Sequence, residues 1–155
     1  FDDLNRSGLL NVNGIPDIEE VKSLDGSVRY SADNWPPLRY LQEVVELCPK
    51  LVQAEIAQLV ISATRSATSR NIDNWRVWWS LSSILARLPL LDIHPEHLEC
   101  VKHWIGGRFD GSPVGQELAK HLLPRLLESV NDSDAGKALT LIDILTSVRQ
   151  QEAAT

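Results

Sequence analysis

The sequence predicts an all-α fold, a stack of helical hairpins. Three observations carry this. The tripeptide Asp-Asn-Trp stands before an apolar run twice, in "DNWPPLRYLQEVVELCP" (33–49) and "DNWRVWWSLSSILARLP" (73–89). At an offset of forty residues the two copies agree in their apolar positions: Leu38 meets Trp78, Leu41 meets Leu81, Val44 meets Ile84, Val45 meets Leu85 and Cys48 meets Leu88. These positions fall at i, i+3, i+6, i+7 and i+10, one face of an α-helix. A proline, Pro49 or Pro89, stops the helix in both copies.

Residues 1–32 fit no repeat. "FDDLNRSGLL" reads as a short helix packing Leu4, Leu9 and Leu10. "NVNGIPDIEEVKSLDGSVRY" reads as loop, punctuated by Gly and Pro, with "SVRY" at most a short extended strip. The segment is expected to cap the first hairpin, because the end of a helical stack needs a cover.

From 33 to 150 the hairpins follow. Asp33 and Asp73 are the expected N-caps, short carboxylates that accept from exposed backbone N–H groups and meet the positive end of the helix dipole. Trp35 and Pro36 each precede a proline and are biased away from the α region, so the first helix starts at Pro36 or Pro37 and its second copy near Asn74. Second helices are expected over 50–65, with Val52, Ile56, Leu59, Val60 and Ala63 on one side, and over 95–105, with Leu98, Val101 and Ile105 on one side. For the latter, Asp92 or His94 is the cap, Pro95 suits the first turn and Gly106 with Gly107 ends the helix. A weaker third copy covers 112–130, with Ser112 as cap and Pro113 at the first helical position. Leu123, Leu126, Leu127 and Val130 form its apolar face at an offset of forty-two, and Pro124 is placed to kink or split it. Residues 132–150 supply the last helix, and 151–155 read as tail or linker.

Two helices are apolar over a wide arc. The side chains Val77, Trp78, Trp79, Leu81, Ile84, Leu85 and Leu88 cover about 220° of a helical wheel, as do Ala138, Leu139, Leu141, Ile142, Ile144, Leu145 and Val148. A helix facing one neighbour needs a stripe of roughly 100° or somewhat more. The first of these helices is therefore expected in the middle of the stack. The second is expected to meet a continuation of the stack past Thr155 or another copy of the chain, giving a homo-oligomer through 132–150.

A two-helix unit recurring every 40–42 residues resembles HEAT and armadillo-like repeats. That resemblance implies a right-handed α-solenoid of about three HEAT-like hairpins over 33–150, behind an irregular N-terminal cap. The stretches "FDDLNRSGLLNVN", "WPPLRYLQEVVELCP" and "NIDNWRVWWSLSSILARLP" are also similar to the helical region of large, poorly characterised bacterial multidomain proteins. This similarity implies a scaffold segment of such a protein.

Composition agrees with an ordinary globular chain, at 43% apolar and 23% charged residues. No stretch approaches the roughly 20 apolar residues that span a bilayer. The N-terminus lacks the basic and apolar regions of a secretory signal, and the chain contains no Met, so a piece of a longer protein or a processed product is expected. Cys48 and Cys100 fall on apolar faces, which favours reduced thiols in a cytoplasmic protein over a single structural disulfide. The net charge of −6 is uneven: residues 48–90 carry five bases against two acids. The acidic total disfavours nucleic acid, whose binding rests on neutralising phosphates, and leaves 48–90 as the candidate anion surface.

Three groups of residues invite a functional reading. Trp75, Trp78 and Trp79 lie within five residues; Trp78 sits on the core stripe, while Trp75 and Trp79 share an adjoining face at i, i+4. They either fill the groove between hairpins or form aromatic anchors of a peptide-binding groove. Arg65, Arg70 and Arg76, with Lys50 and Arg87 nearby, flank a Ser/Thr/Arg/Asn loop over 64–74 that opens into a helix. The loop is either solvated, its arginines paired to local acids, or a phosphate or carboxylate site, with Asp73 opposing the latter. His94, His97 and His103 surround Cys100 at spacings that strain tetrahedral ligation, so surface histidines around a buried Cys are expected rather than a metal. There is no GxxxxGK, GxSxG or GxGxxG, and "GGRFDG" (106–111) reads as an inter-helix turn. No cofactor and no enzymatic activity are expected. The expected function is a scaffold or protein-interaction module, binding a protein, a peptide or adjoining domains of the same polypeptide through Trp75, Arg76 and Trp79 with Arg65 and Arg70. A helical repeat binding nucleic acid through the arginines of 65–87, and a regulatory domain beside an enzyme, are the alternatives.

Overall fold

The computed structural model describes residues 10–107 and 109–154, with side chains through Ser147. The helix expected over 1–10 lies outside the described residues, apart from its last member, Leu10, which is buried. After a 3-10 turn at Val12–Gly14 comes an antiparallel hairpin, β1 (Glu19–Lys22) and β2 (Val28–Ser31), with Glu19 opposite Ser31 and Lys22 opposite Val28. This corrects the expectation of loop. The sequence hides the hairpin because β1 is exposed throughout and only Tyr30 of β2 is partly buried, so no period-two apolar pattern exists to read. Its turn is nevertheless written in "SLDGS": Gly26 takes φ +83°, and the Asp25 carboxylate accepts from the Ser27 N–H at 2.9 Å.

The helices follow the predicted order. They are α1 (Pro36–Val44), α2 (Lys50–Ser69), α3 (Trp75–Leu85), α4 (Pro95–Ile105), α5 (Ser112–His121), α6 (Leu123–Glu128) and α7 (Asp132–Ala154). Pro36 opens α1, and Pro124 splits the third unit into α5 and α6, as their fixed φ and missing N–H require. None of the described helices is long and apolar enough to cross a membrane.

Four local expectations are overturned. Asp33 and Asp73 cap nothing: α1 has no side-chain cap, and at α3 the Asn74 carbonyl accepts from the N–H groups of Arg76 and Val77 at 3.1 and 3.3 Å. Asn74 is fully buried, where a neutral amide that also donates is cheaper than a carboxylate. The second helix does not stop at 65 but runs to Ser69, where Ala67 is still buried in the core and the Thr64 and Thr68 hydroxyls bond to carbonyls four residues back. It ends in a Schellman motif with Asn71 at φ +56°, the Ile72 N–H reaching Ala67 O at 2.9 Å. Of the apolar face expected for the third unit, Leu126 is buried and Leu123 packs against the core, but Leu127 and Val130 are exposed at 61% and 101%; the break at Pro124 shifts the helical phase, and Leu122 joins the core. Residues 151–154 continue α7 rather than forming a linker.

One contiguous apolar core runs from Leu10 to Ile144. Around it α1 packs on α3 and α3 on α5, while α2 packs on α4 and α4 on α7; α6 joins α5 to α7. The offset of forty reappears as hydrogen bonds between α2 and α4: His97 Nε2 meets Ala57 O at 2.9 Å, and Trp104 Nε1 donates to Thr64 Oγ1 at 3.0 Å. In the next step Arg125 donates to the carbonyls of Ala86 and Leu88 at 2.7 and 2.9 Å. The N-terminal segment docks at the junction of α2 and α3. There Arg70 donates to the carbonyls of Val12, Asn13 and Ile15, and Asn74 donates to those of Pro16 and Asp33.

Candidate functional site

The start of α3 places three consecutive environments on one turn. Trp78 points inward and is 2% exposed, Trp75 is half-buried, and Trp79 is 41% exposed. Beside them the chain between α4 and α5 folds back sharply. Gly111 allows this, since a Cβ there would stand 2.8 Å from the backbone of Ile105. The fold-back brings Phe109 over Trp75, ring centres 4.7 Å apart, with Tyr30 of the hairpin edge-on to Phe109 at 5.3 Å.

The result is a cleft of about 460 Å³ floored by Trp78, Trp104 and Val114, walled by Trp75, Trp79 and Phe109, and rimmed by Arg76, Asp73 and Asp110. Trp79 and Asn34 also line a second, polar hollow of about 280 Å³ with Arg39, Gln42 and Glu43 of α1. The two hollows share a wall, so the surface crosses α1, α3 and the start of α5.

The polar groups divide in an informative way. Asp73 and Asp110 are engaged from within, whereas Glu43 has no hydrogen-bond or ion-pair partner among the described residues. Asp73 accepts from Trp78 Nε1 at 2.8 Å, and Asp110 accepts from both the N–H and the hydroxyl of Ser112. Those two bonds from Ser112 hold the Asp110 carboxyl below the usual carboxylate range. The donors are not engaged: the guanidinium groups of Arg39 and Arg76 and the indole N–H groups of Trp75 and Trp79 find no protein acceptor among the described residues.

Of the residues singled out from the sequence, Trp75, Arg76 and Trp79 meet here. Arg65 and Arg70 do not. Arg65 sits on α2 facing α4 and pairs with Glu96 at 2.8 Å, and Arg70 is spent on the N-terminal carbonyls. Arg87 bonds Glu117 at 3.0 Å. The 64–74 stretch, read from the sequence as either a solvated loop or an anion site, is helix as far as Ser69, and its two leading arginines are paired, Arg65 with an acid at the surface and Arg70 with backbone carbonyls. Arg39 was missed, since it lies well before the basic stretch in sequence and only the packing of α1 on α3 brings it to Trp79. The one signal for it was its place three residues before Gln42 and four before Glu43 on the polar side of α1.

The histidine cluster of 94–103 separates into distinct environments. His97, expected at the surface, is fully buried: its Nδ1 accepts from the His94 N–H at 2.9 Å, so Nε2 donates to Ala57 O. His103 contacts Thr68 Oγ1 at 3.1 Å and stands edge-on to Trp78. Burial raises the Cys100 thiol above its ordinary 9.0, which keeps it a protonated apolar filler. Both cysteines are free thiols. Among the described residues no group of three or more His, Cys, Asp or Glu could hold a metal ion.

Compared with known proteins, the chain matches no family model, and neither a curated protein nor a solved structure is significantly similar to it.

Proposed function

We propose that this chain is a non-catalytic interaction module: a HEAT-like solenoid segment that presents the groove across α1, α3 and α5 to a peptide or to an extended segment of a partner protein. The observation that carries the reading is the exposed Trp79 beside the half-buried Trp75, with Arg39 and Arg76 finding no acceptor among the described residues. Buried anchors of this kind dominate binding energy at interfaces, with Trp and Arg the most enriched. The two rows of helices, α1–α3–α5 and α2–α4–α7, support the solenoid reading, because each row stacks units related by the forty-residue offset. A nucleic-acid surface built on the arginines of 65–87 keeps only Arg76, since Arg65, Arg70 and Arg87 are paired with Glu96, with backbone carbonyls and with Glu117. A reducing compartment such as the cytoplasm fits the two free thiols.

The test is selection from a randomised dodecapeptide display library against the protein, with Trp79→Ala as the counter-target. Recovered peptides are expected to lose about tenfold or more in affinity on Trp79→Ala, as for a buried aromatic anchor, and little on Arg65→Gln. Failure to recover any binder, or binders indifferent to Trp79→Ala, removes the proposal.

A further inference from the structure

The cleft at the start of α3 is unusual in how much of it is aromatic. Five of the described residues lining it carry rings: Trp75, Trp79 and Phe109 form its walls, and Trp78 and Trp104 its floor. Trp75 and Phe109 meet at 60° with ring centres 4.7 Å apart, so they form a corner rather than a closed stack. Trp79 is exposed and Trp75 half-buried, which leaves the walls reachable from solvent. An aromatic face carries the negative lobe of the ring quadrupole and attracts a cation within about 6 Å of its centre. Two carboxylates, Asp73 and Asp110, stand at the same cleft against one base, the exposed Arg76. Bonds from Ser112 keep Asp110 ionised. The starts of α3 and α5 lie beside the cleft as well, but Asn74 and Asp110 already bond N–H groups there.

We propose that the cleft is an aromatic cage for a quaternary ammonium group, the side chain of a trimethylated lysine on a peptide segment of the partner. The proposal rests on the interaction-module reading and names the ligand class of the same groove. A quaternary ammonium suits ring faces better than a bare one. It keeps the charge, has no N–H groups that need directed acceptors, and gives up a weaker hydration shell. The charge of the surroundings agrees. Across the two hollows Glu43, Asp73 and Asp110 stand against Arg39 and Arg76, three acids to two bases, and the whole chain carries a net charge of −6. Arg76 opposes the cation from the rim, where solvent screens it. A neutral side chain of the same shape would also fill the hollow, so the test separates charge from shape.

The experiment titrates the ¹⁵N-labelled full chain with three capped peptides that share Ala and Ser flanks and differ in the central residue. That residue is trimethyl-lysine, lysine, or the neutral isostere in which carbon replaces the quaternary nitrogen. Tetramethylammonium chloride is the fourth probe. The proposal expects the trimethyl-lysine peptide to bind at least about fivefold tighter than its neutral isostere, since the two differ only in charge. The indole signals of Trp75 and Trp79 should shift, while that of Trp35, buried elsewhere in the core, should hold. Asp110→Asn should weaken binding about twofold and Arg76→Gln should strengthen it by about the same factor, each changing one charge at the rim. Equal binding of the charged peptide and its neutral isostere overturns the cage, and leaves the groove reading intact if Trp79→Ala abolishes both. Tighter binding of lysine than of trimethyl-lysine, or weaker binding to Arg76→Gln, overturns it too. Tetramethylammonium bound as tightly as the peptide overturns the partner-segment assignment in favour of a free small cation. No response to any of the four probes removes the cage, and the groove reading is then decided by the display selection alone.

Discussion

At the residue scale, His97 shows how burial turns a titratable side chain into a fixed part of the core. Both ring nitrogens are satisfied only in the neutral form, with Nδ1 accepting from His94 and Nε2 donating to Ala57. Burial, and after it the neighbouring His94, hold its pKa below the ordinary 6.5, against the pull of the Ala57 carbonyl and Glu96. The unfolded chain therefore binds the proton first. The contribution is complete above pH 6.5 and is lost as pH falls from there through the folded pKa, with a limiting slope of about 1.4 kcal/mol per pH unit. Thermal melts between neutral and mildly acidic pH should show this loss. His97→Gln, whose amide keeps one donor and one acceptor, should flatten the dependence while melting lower overall at neutral pH. An unchanged slope in that variant would assign the pH dependence to other groups.

At the scale of elements, the turn between α2 and α3 joins two hairpins and straps the N-terminal segment to both. Asn71 in the left-handed region ends α2, Asn74 caps α3, and the Arg70 guanidinium and Asn74 amide reach across to five backbone carbonyls between Val12 and Asp33. Removing such partners leaves buried acceptors and donors unmet. Asn74→Ala loses both the cap and the two carbonyl contacts, and should cost about 2–4 kcal/mol in urea unfolding. Arg70→Gln should be milder globally but local in effect, speeding amide hydrogen exchange at Gly14 and Ile15 while leaving α4 and α7 protected. Uniform loosening across all helices in Arg70→Gln would show that the segment is not held as a separate strap. The two Asp-Asn-Trp copies differ in use: Asn74 caps α3 while α1 has no side-chain cap, and Asp73 accepts from the Trp78 indole.

For the whole molecule, the core is one connected cluster from Leu10 to Ile144, with hydrogen bonds linking each hairpin to the next. Unfolding followed by tryptophan fluorescence, which reports on α1, α3 and α4, should therefore coincide with unfolding followed by far-ultraviolet circular dichroism. Separate midpoints would mean that the hairpins melt one at a time, as weakly coupled repeats can. The outer side of α7 keeps Leu139 at 69% and Ile142 at 36% exposure, so part of the wide apolar arc read from the sequence stays open. The sequence by itself determined the helices, their prolines, their order and the forty-residue offset, because these follow from local φ restrictions and from a 3.6-residue period that any solvent boundary imposes. It also marked Trp75, Arg76 and Trp79. Only the tertiary structure decided which arginines were free to act: Arg65, Arg70 and Arg87 look alike in sequence to Arg39 and Arg76, and they differ in which acids and carbonyls the packing of α1 on α3 and α2 on α4 brings within reach. The exposed hairpin was decided there as well, since a ribbon with little of its surface in the core leaves no apolar rhythm in its residues.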